Sequence, residues 1–202
     1  MRYKPLIVGL VVFLVLSWMI QTSFIQAIDE QMILYGEHLR NRWLTNVMIF
    51  FTTVGSIKVI GPLTVIISVY FIWKRKWLPF IFLYINLFSV RAFNRFLKEL
   101  FHRERPDLNR IIDVGEFSFP SGHAMNSTAI YGFFIYLWII QKPGREENKF
   151  YFIAPMLFIF LIGISRVYVG VHYVTDILAG FAAGTVWLLI IIAIFQFVRQ
   201  KL

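Results

Sequence analysis

Three short stretches hold most of the chemically capable residues of this 202-residue chain: KELFHRERP (Lys98–Pro106), FPSGHAMNS (Phe119–Ser127) and SRVYVGVHYVTD (Ser165–Asp176). Asp176 follows His172 by four residues. On a helix this spacing puts both side chains on one face, with Cβ atoms about 6 Å apart, so the carboxylate can accept a proton from one imidazole nitrogen. The tautomer is then fixed and the other nitrogen is left for attack. A second histidine, His123, follows Ser121 and Gly122 at an expected helix start. Unpaired N–H groups at such a start bind anions, and the glycine lets the backbone come close. Lys98, Arg105 and Arg166 add three cations. A phosphoryl group in transfer spreads negative charge over three equatorial oxygens, and fixed donors and cations aimed there are its chief requirement. Each feature has a plainer reading alone: a helix cap for His172 and Asp176, snorkelling for the three cations. Their conjunction carries the chemistry.

The elements that must position these residues are apolar. Hydrophobic residues make up 58% of the chain, 22 residues are Phe, and mean hydropathy is +0.69. A soluble domain of this length does not need so much apolar surface. The sequence predicts an all-α polytopic membrane bundle, a single domain of six spans: Pro5–Ile25, Ile57–Trp73, Trp77–Phe96, Gly122–Ile140, Phe150–Ile164 and Val174–Val198. The fifth is short unless it continues past Ser165. Open sheets cannot span lipid. The run before Ile25 resembles a secretory signal without a small-x-small cleavage site, and reads as a retained first span. Val47–Val54 reads as an interfacial segment. Ile28–Thr53 is expected to lie on the outer surface as a short helix, where it would shape lipid access. On this count the first two chemical stretches share one loop and the third lies two crossings later. All three then fall on one side of the membrane.

With the N-terminus inside, ten Lys and Arg fall on each side, so the raw count is a tie. The inner ones, among them Arg2, Lys74, Lys142, Arg145, Lys149 and Arg199, sit tightly at span ends. The outer ones cluster between Arg91 and Arg110, where a chemical task removes them from the topological count. This favours both termini inside and the site at the extracytoplasmic ends of the spans, in a multi-pass plasma-membrane protein. The charge of +9 then reflects span flanks rather than nucleic-acid binding. The absence of cysteine excludes disulfides, thiolate metal sites and cysteine nucleophiles.

Other residues are assigned less. Arg91 and Arg95 share the helical face of Lys98 and read as headgroup or structural contacts. His102 and Arg103 occupy positions between the outer members of the first stretch, and His102 reads as a solvated loop residue. His38 receives no role. GFAAG (Gly180–Gly184) is a small-x-x-x-small pattern expected to pack on another span of the same chain. Asn86 is expected to hydrogen-bond a neighbouring helix. The aromatic excess is expected to face lipid or the interface.

Taken in order and with their spacing, K-x6-R-P at Lys98–Pro106, P-S-G-H at Pro120–His123 and S-R-x5-H-x3-D at Ser165–Asp176 resemble the three-part signature of the type 2 phosphatidate phosphatases. That membrane family belongs to a wider superfamily with vanadium haloperoxidases and glucose-6-phosphatase. The chain's size is similar to compact bacterial members of the phosphatidylglycerophosphate phosphatase B type. The resemblance implies His172 as a nucleophile that becomes phosphohistidine, His123 as the acid for the leaving oxygen, and Asp176 as the residue that orients His172. It implies Lys98, Arg105, Ser121, Gly122 and Arg166 as the phosphate cradle, with no metal and no other cofactor. The expected function is hydrolysis of membrane lipid phosphates: phosphatidylglycerophosphate, phosphatidate, or prenyl diphosphates such as undecaprenyl pyrophosphate. Two alternatives stand beside it, a lipid phosphotransferase with an alcohol acceptor and a non-catalytic lipid-phosphate or anion carrier. Expected partners are the lipid phosphate and surrounding membrane lipids, with no nucleic acid and no obligate protein partner.

Overall fold

The computed structural model describes residues 4–107, 109–141 and 150–202. The expected positions Arg2, Lys142, Arg145 and Lys149 lie outside the described residues. Among the described residues eight helices run in order: α1 (Lys4–Met19), α2 (Ser23–His38), α3 (Arg42–Val54), α4 (Ile57–Trp73), α5 (Trp77–Phe101), α6 (Gly122–Ile139), α7 (Phe150–Tyr168) and α8 (Val174–Lys201). The only β pairing among the described residues is a single bridge between Glu104 and Phe117. By length and composition α5, α7 and α8 can each cross a membrane. Five spans result if each of two bent pairs is counted as one, α1 with α2 and α3 with α4.

Both bends shape the end of the bundle that holds the chemical stretches. α2 turns 95° from α1, and α4 turns 50° from α3. The segment read as an outer-surface stretch is therefore two ordered helices. α2 buries Asp29, Ile33 and Gly36 along one face and leaves Phe24, Met32 and Tyr35 exposed. α3 buries Thr52. α7 does continue past Ser165, to Tyr168, and so carries Arg166 in its last turn. α5 runs to Phe101, which places Lys98 in its last turn rather than in a loop.

α6 and α8 form the centre of the bundle. Cβ atoms added at Gly180 and Gly184 would meet the Ser121 carbonyl at 2.8 Å and the Met125 carbonyl at 2.6 Å. Only glycine permits this approach, which packs the GFAAG face of α8 against α6 of the same chain. Asn86 of α5 donates to the Ala129 carbonyl of α6 at 2.9 Å. The aromatic residues divide. Trp18, Trp43, Trp73 and Phe88 are exposed on the helix surfaces, as expected of lipid-facing side chains. Others build the core: Phe195 meets Phe82 and Phe133 edge-on at 5.3 and 5.9 Å, and Phe119 packs on Phe13 and Phe101.

Candidate active site

The C-terminal ends of α5 and α7 and the N-terminal ends of α6 and α8 converge at one end of the bundle, and they bring all three chemical stretches with them. His102 caps α5 in the left-handed conformation, with φ of 45°, and turns the chain out of the helix. The loop after it folds back on itself: Ser118 N–H donates to the Arg103 carbonyl at 2.8 Å, and its hydroxyl donates to the Glu104 carbonyl at 2.9 Å. This returns Pro120 and Ser121 to the end of α5. Asn94 of α5 donates to the Pro120 carbonyl at 3.3 Å. The Ser121 N–H donates to the Asp176 carbonyl at 3.0 Å and so joins the start of α6 to the start of α8.

His172 is buried at 1% exposure, in the short connection before α8. It is therefore not on the helix with Asp176, as the four-residue spacing suggested. Asp176 sits in the first turn of α8 and reaches back instead. Its Oδ2 accepts from the Tyr173 N–H at 2.9 Å and faces His172 Nδ1 at 3.4 Å. A first-turn carboxylate reaching back to the residue that starts the helix is a normal way to satisfy a free N–H there. It gives the same pairing by another route. His172 Nε2 lies 3.1 Å from Arg105 Nη1, which also donates to the Val171 carbonyl at 2.7 Å. A guanidinium can only donate. Nε2 is consequently the unprotonated, accepting nitrogen, and the ring proton is on Nδ1, facing Asp176. Burial above all, then the charges of Arg105, Arg166 and Lys98, hold the His172 imidazole well below its ordinary proton affinity, against a hydrogen bond to the Ser118 backbone carbonyl that favours the proton. The ring is neutral at neutral pH.

Three cations surround it. Lys98 Nζ donates to the Phe117 carbonyl, Arg105 Nε donates to the Gly115 carbonyl, and Arg166 Nη1 donates to Thr52 Oγ1 at 2.5 Å. Arg105 is pulled down to about 10, chiefly by burial, and stays charged at neutral pH. Among the described residues none of the three makes an ion pair with a carboxylate, and Arg166 Nε is buried without a hydrogen-bond partner. Like charges held together without a counter-anion call for an anion between them.

His123 lies one residue into α6, within electrostatic reach of His172, Arg166 and Arg105. Its ring donates to the Thr52 backbone carbonyl. Thr52 thus holds both Arg166 and His123, from the helix that sequence reading left as an interfacial segment. A Cβ at Gly55 would clash with Ile162 Cγ2 and meet His123 Cδ2 at 3.0 Å, so the break between α3 and α4 packs closely on α7 and on this ring. Ser121 is buried and caps α6, its hydroxyl accepting from the Ala124 N–H at 3.4 Å. Gly122 abuts Asn94, with 2.9 Å between an added Cβ and Oδ1. The structure brings together Lys98, Arg105, Ser121, Gly122, His123, Arg166, His172 and Asp176. Sequence reading passed over Thr52, Asp29, Thr175 and Arg103, which lie outside the quoted spacing or at its variable positions. His102 and His38 are exposed and stand apart from the site chemistry.

A buried imidazole in one fixed tautomer, a second imidazole nearby and a cradle of unneutralised cations fit a class: membrane-embedded enzymes of phosphate chemistry. The comparisons with known proteins specify it. The pattern of the PAP2 superfamily matches residues 77–200. The chain is 37% identical over 184 residues to phosphatidylglycerophosphatase B of Bacillus subtilis, covering 90% of each. It is 28% identical over 195 residues to a lipid A 4'-phosphatase of Bacteroides thetaiotaomicron, covering 89% of this chain and 80% of that one. The crystal structure of a transmembrane PAP2-type phosphatidylglycerolphosphate phosphatase from Bacillus subtilis superposes with a TM-score of 0.90 at 33% identity, over 96% of this chain and 97% of that one. Aquifex aeolicus LpxE shares the fold, with a TM-score of 0.65 at 23% identity, over 82% of this chain and 95% of that one. The protein belongs to the PAP2 superfamily.

Proposed function

We propose that this PAP2 phosphatase hydrolyses the phosphate ester of a membrane glycerophospholipid, with phosphatidylglycerophosphate as first candidate, through a phosphohistidine. His172 Nε2 attacks phosphorus in line, forming the N–P bond as the P–O ester bond breaks. Lys98, Arg105 and Arg166 take up the charge on the equatorial oxygens, assisted by N–H groups at Ser121 and Gly122. His123 gives its proton to the departing lipid oxygen. It then accepts a proton from the water that cleaves the N–P bond, releasing phosphate and restoring His172. Phosphatidate and prenyl diphosphates fit the same cradle, which would grip their terminal phosphate. The observation that carries this reading is the orientation of His172: Nδ1 toward Asp176, and Nε2 toward Arg105 in a cluster of cations without carboxylate partners.

The reading extends to topology. Six crossings, with both termini inside, put the site at the outer membrane face. Support comes from the opposite end of the bundle, where the basic turn Lys74–Lys76 and the α8 end with Arg199 lie together; Lys76 and Arg199 line one cleft. Because the chain has no cysteine, single cysteines at Asp113 and Arg75 report sidedness directly. An impermeant thiol reagent on intact cells is expected to label the first and spare the second.

The chemical test is turnover by purified protein in detergent, tracking free phosphate and lipid products across glycerophospholipid and prenyl substrates. His172→Ala is expected to lose turnover by at least about 10⁴-fold, and wild type is expected to yield an acid-labile, base-stable phosphoenzyme in a rapid quench. Wild-type rates in His172→Ala overturn the assignment. Transfer of the phosphoryl group to an alcohol in place of free phosphate redirects it to the transferase reading.

A further inference from the structure

Among the described residues, Arg103 is the one cation at this end of the bundle with carboxylate partners on both sides. Its Nη1 donates to Asp176 Oδ1 at 2.7 Å and to Thr175 Oγ1 at 2.7 Å. Its Nη2 donates to Asp29 Oδ2 at 2.8 Å. The guanidinium lies 4.2 Å from the centre of the Tyr173 ring. Asp29, from the buried face of α2, is 1% exposed and also accepts from the Thr175 N–H at 3.2 Å and from the Thr175 hydroxyl. Asp29 therefore fixes the fork from one side while Asp176 receives it on the other.

We propose that Asp29 and Arg103 are positioning residues for the nucleophile, acting through Asp176. A carboxylate can turn about its own axis and offer either oxygen. Here Oδ1 is taken by Arg103 and Oδ2 by the Tyr173 N–H, so one Oδ2 lone pair is left facing His172 Nδ1. Arg103 can hold Oδ1 only while its own plane is fixed, and Asp29 with Thr175 fixes it. The chain of contacts runs from α2, which lies across the end of the bundle, through the α5–α6 loop and α8 to the nucleophilic ring. Outer-shell partners orient metal-ligating histidines in the same way, and their loss typically costs about 10–100-fold, which sets the scale by analogy. Arg103 touches no reacting atom, and its role is distinct from that of Arg105 two residues on.

The inference rests on the phosphohistidine reading, and its test separates the two. In purified full-length protein, Arg103→Gln is expected to lower kcat by about 10–100-fold with KM nearly unchanged. Arg103→Lys recovers part of the loss. Asp29→Asn lowers kcat less, and the double variant Asp29→Asn/Arg103→Gln is no worse than Arg103→Gln alone, because Asp29 acts through Arg103. With only 4 histidines, ¹⁵N-histidine labelling resolves the His172 ring. Wild type is expected to show a single tautomer protonated on Nδ1, and Asp29→Asn and Arg103→Gln a mixture. A mere tether of α2 to the bundle would lower the unfolding temperature but leave the tautomer and kcat of the folded enzyme alone, and that result overturns the proposal. If Arg103→Gln does not fold, Arg103→Lys and Asp29→Asn decide by the same readouts. His172→Ala runs in parallel. If it keeps turnover, the phosphohistidine reading fails; if it is inactive while Arg103→Gln and Asp29→Asn match wild type, only this inference fails.

Discussion

At the motif-bearing end of the bundle charged side chains are drawn into the interior; at the opposite end the interior is apolar, with phenyl rings foremost. Phe71, Phe82, Phe133 and Phe195 fill the space between α4, α5, α6 and α8 without a polar atom among them. Lys98, Arg105 and Arg166 crowd one pocket at the other end, tied only to carbonyls, a hydroxyl and His172. In lipid, helices are held by close packing and interhelical hydrogen bonds rather than by withdrawal from water. The phenyl end supplies that packing. The cationic end works against it, since like charges repel and their burial is costly. Such an arrangement persists where a bound anion relieves it, and a site strained in this way trades stability for activity.

Arg166 offers the severest trial of this difference between the two ends. Arg166→Met keeps much of the packed stem and removes the charge. By analogy with the loss of one oxyanion donor, kcat is expected to fall by about 10²–10³-fold, while the unfolding temperature in detergent holds or rises. A fall in unfolding temperature with kcat intact would mean that Arg166 braces the fold, and the contrast between the two ends would dissolve. Phe195→Ala asks the converse. Phe195 is 1% exposed and meets three rings. Truncation is expected to cost about 2–3 kcal/mol, below the usual cost for a phenyl in a water-surrounded core because only packing is lost. The kcat of the folded fraction should match wild type. Thermal unfolding and turnover measured on the same preparation check both halves of the claim.

Much of this contrast could be read from the residues alone, because charge in an apolar chain is conspicuous. The motif spacing marks Lys98, Arg105, His123, Arg166, His172 and Asp176 as one group, and the fold brings them to one end. The register of α7 through Arg166 and the packing of GFAAG follow from helix length and residue size. What escaped was carried by bends and by single polar residues. The 95° turn between α1 and α2 and the 50° turn between α3 and α4 depend on packing against distant helices, and apolar runs do not encode them. Thr52 and Asp29 lie more than 40 residues before the first chemical stretch, and nothing local marks them. Arg103 stands within that stretch, but a lone arginine two residues before another gives no sign of which will be neutralised. His172 and Asp176 come out paired, although the helix invoked to pair them begins only at Val174.

The smallest effect concerns the proposed nucleophile, where the cationic end acts on its own histidine. Burial and neighbouring cations lower the proton affinity of His172, with Arg105 the foremost of those cations. On the phosphohistidine reading, protonation would remove the attacking lone pair, so the acidic limb of kcat/KM follows this ring. The depressed affinity keeps the ring neutral as pH falls through about 6.5, where an ordinary histidine takes up its proton, and activity should persist there. Arg105→Gln removes the nearest positive charge. A positive neighbour opposes protonation, so its removal raises the affinity and moves the acidic limb to higher pH. Overall kcat/KM falls as well, because the cradle has lost a donor, so the informative quantity is the position of the limb and not its height. Lys98→Gln, which removes a cation ranked behind Arg105 and Arg166 in its action on the ring, should move the limb less. If both variants leave the limb where wild type has it, the group that titrates there is not His172, and the cations serve the substrate alone.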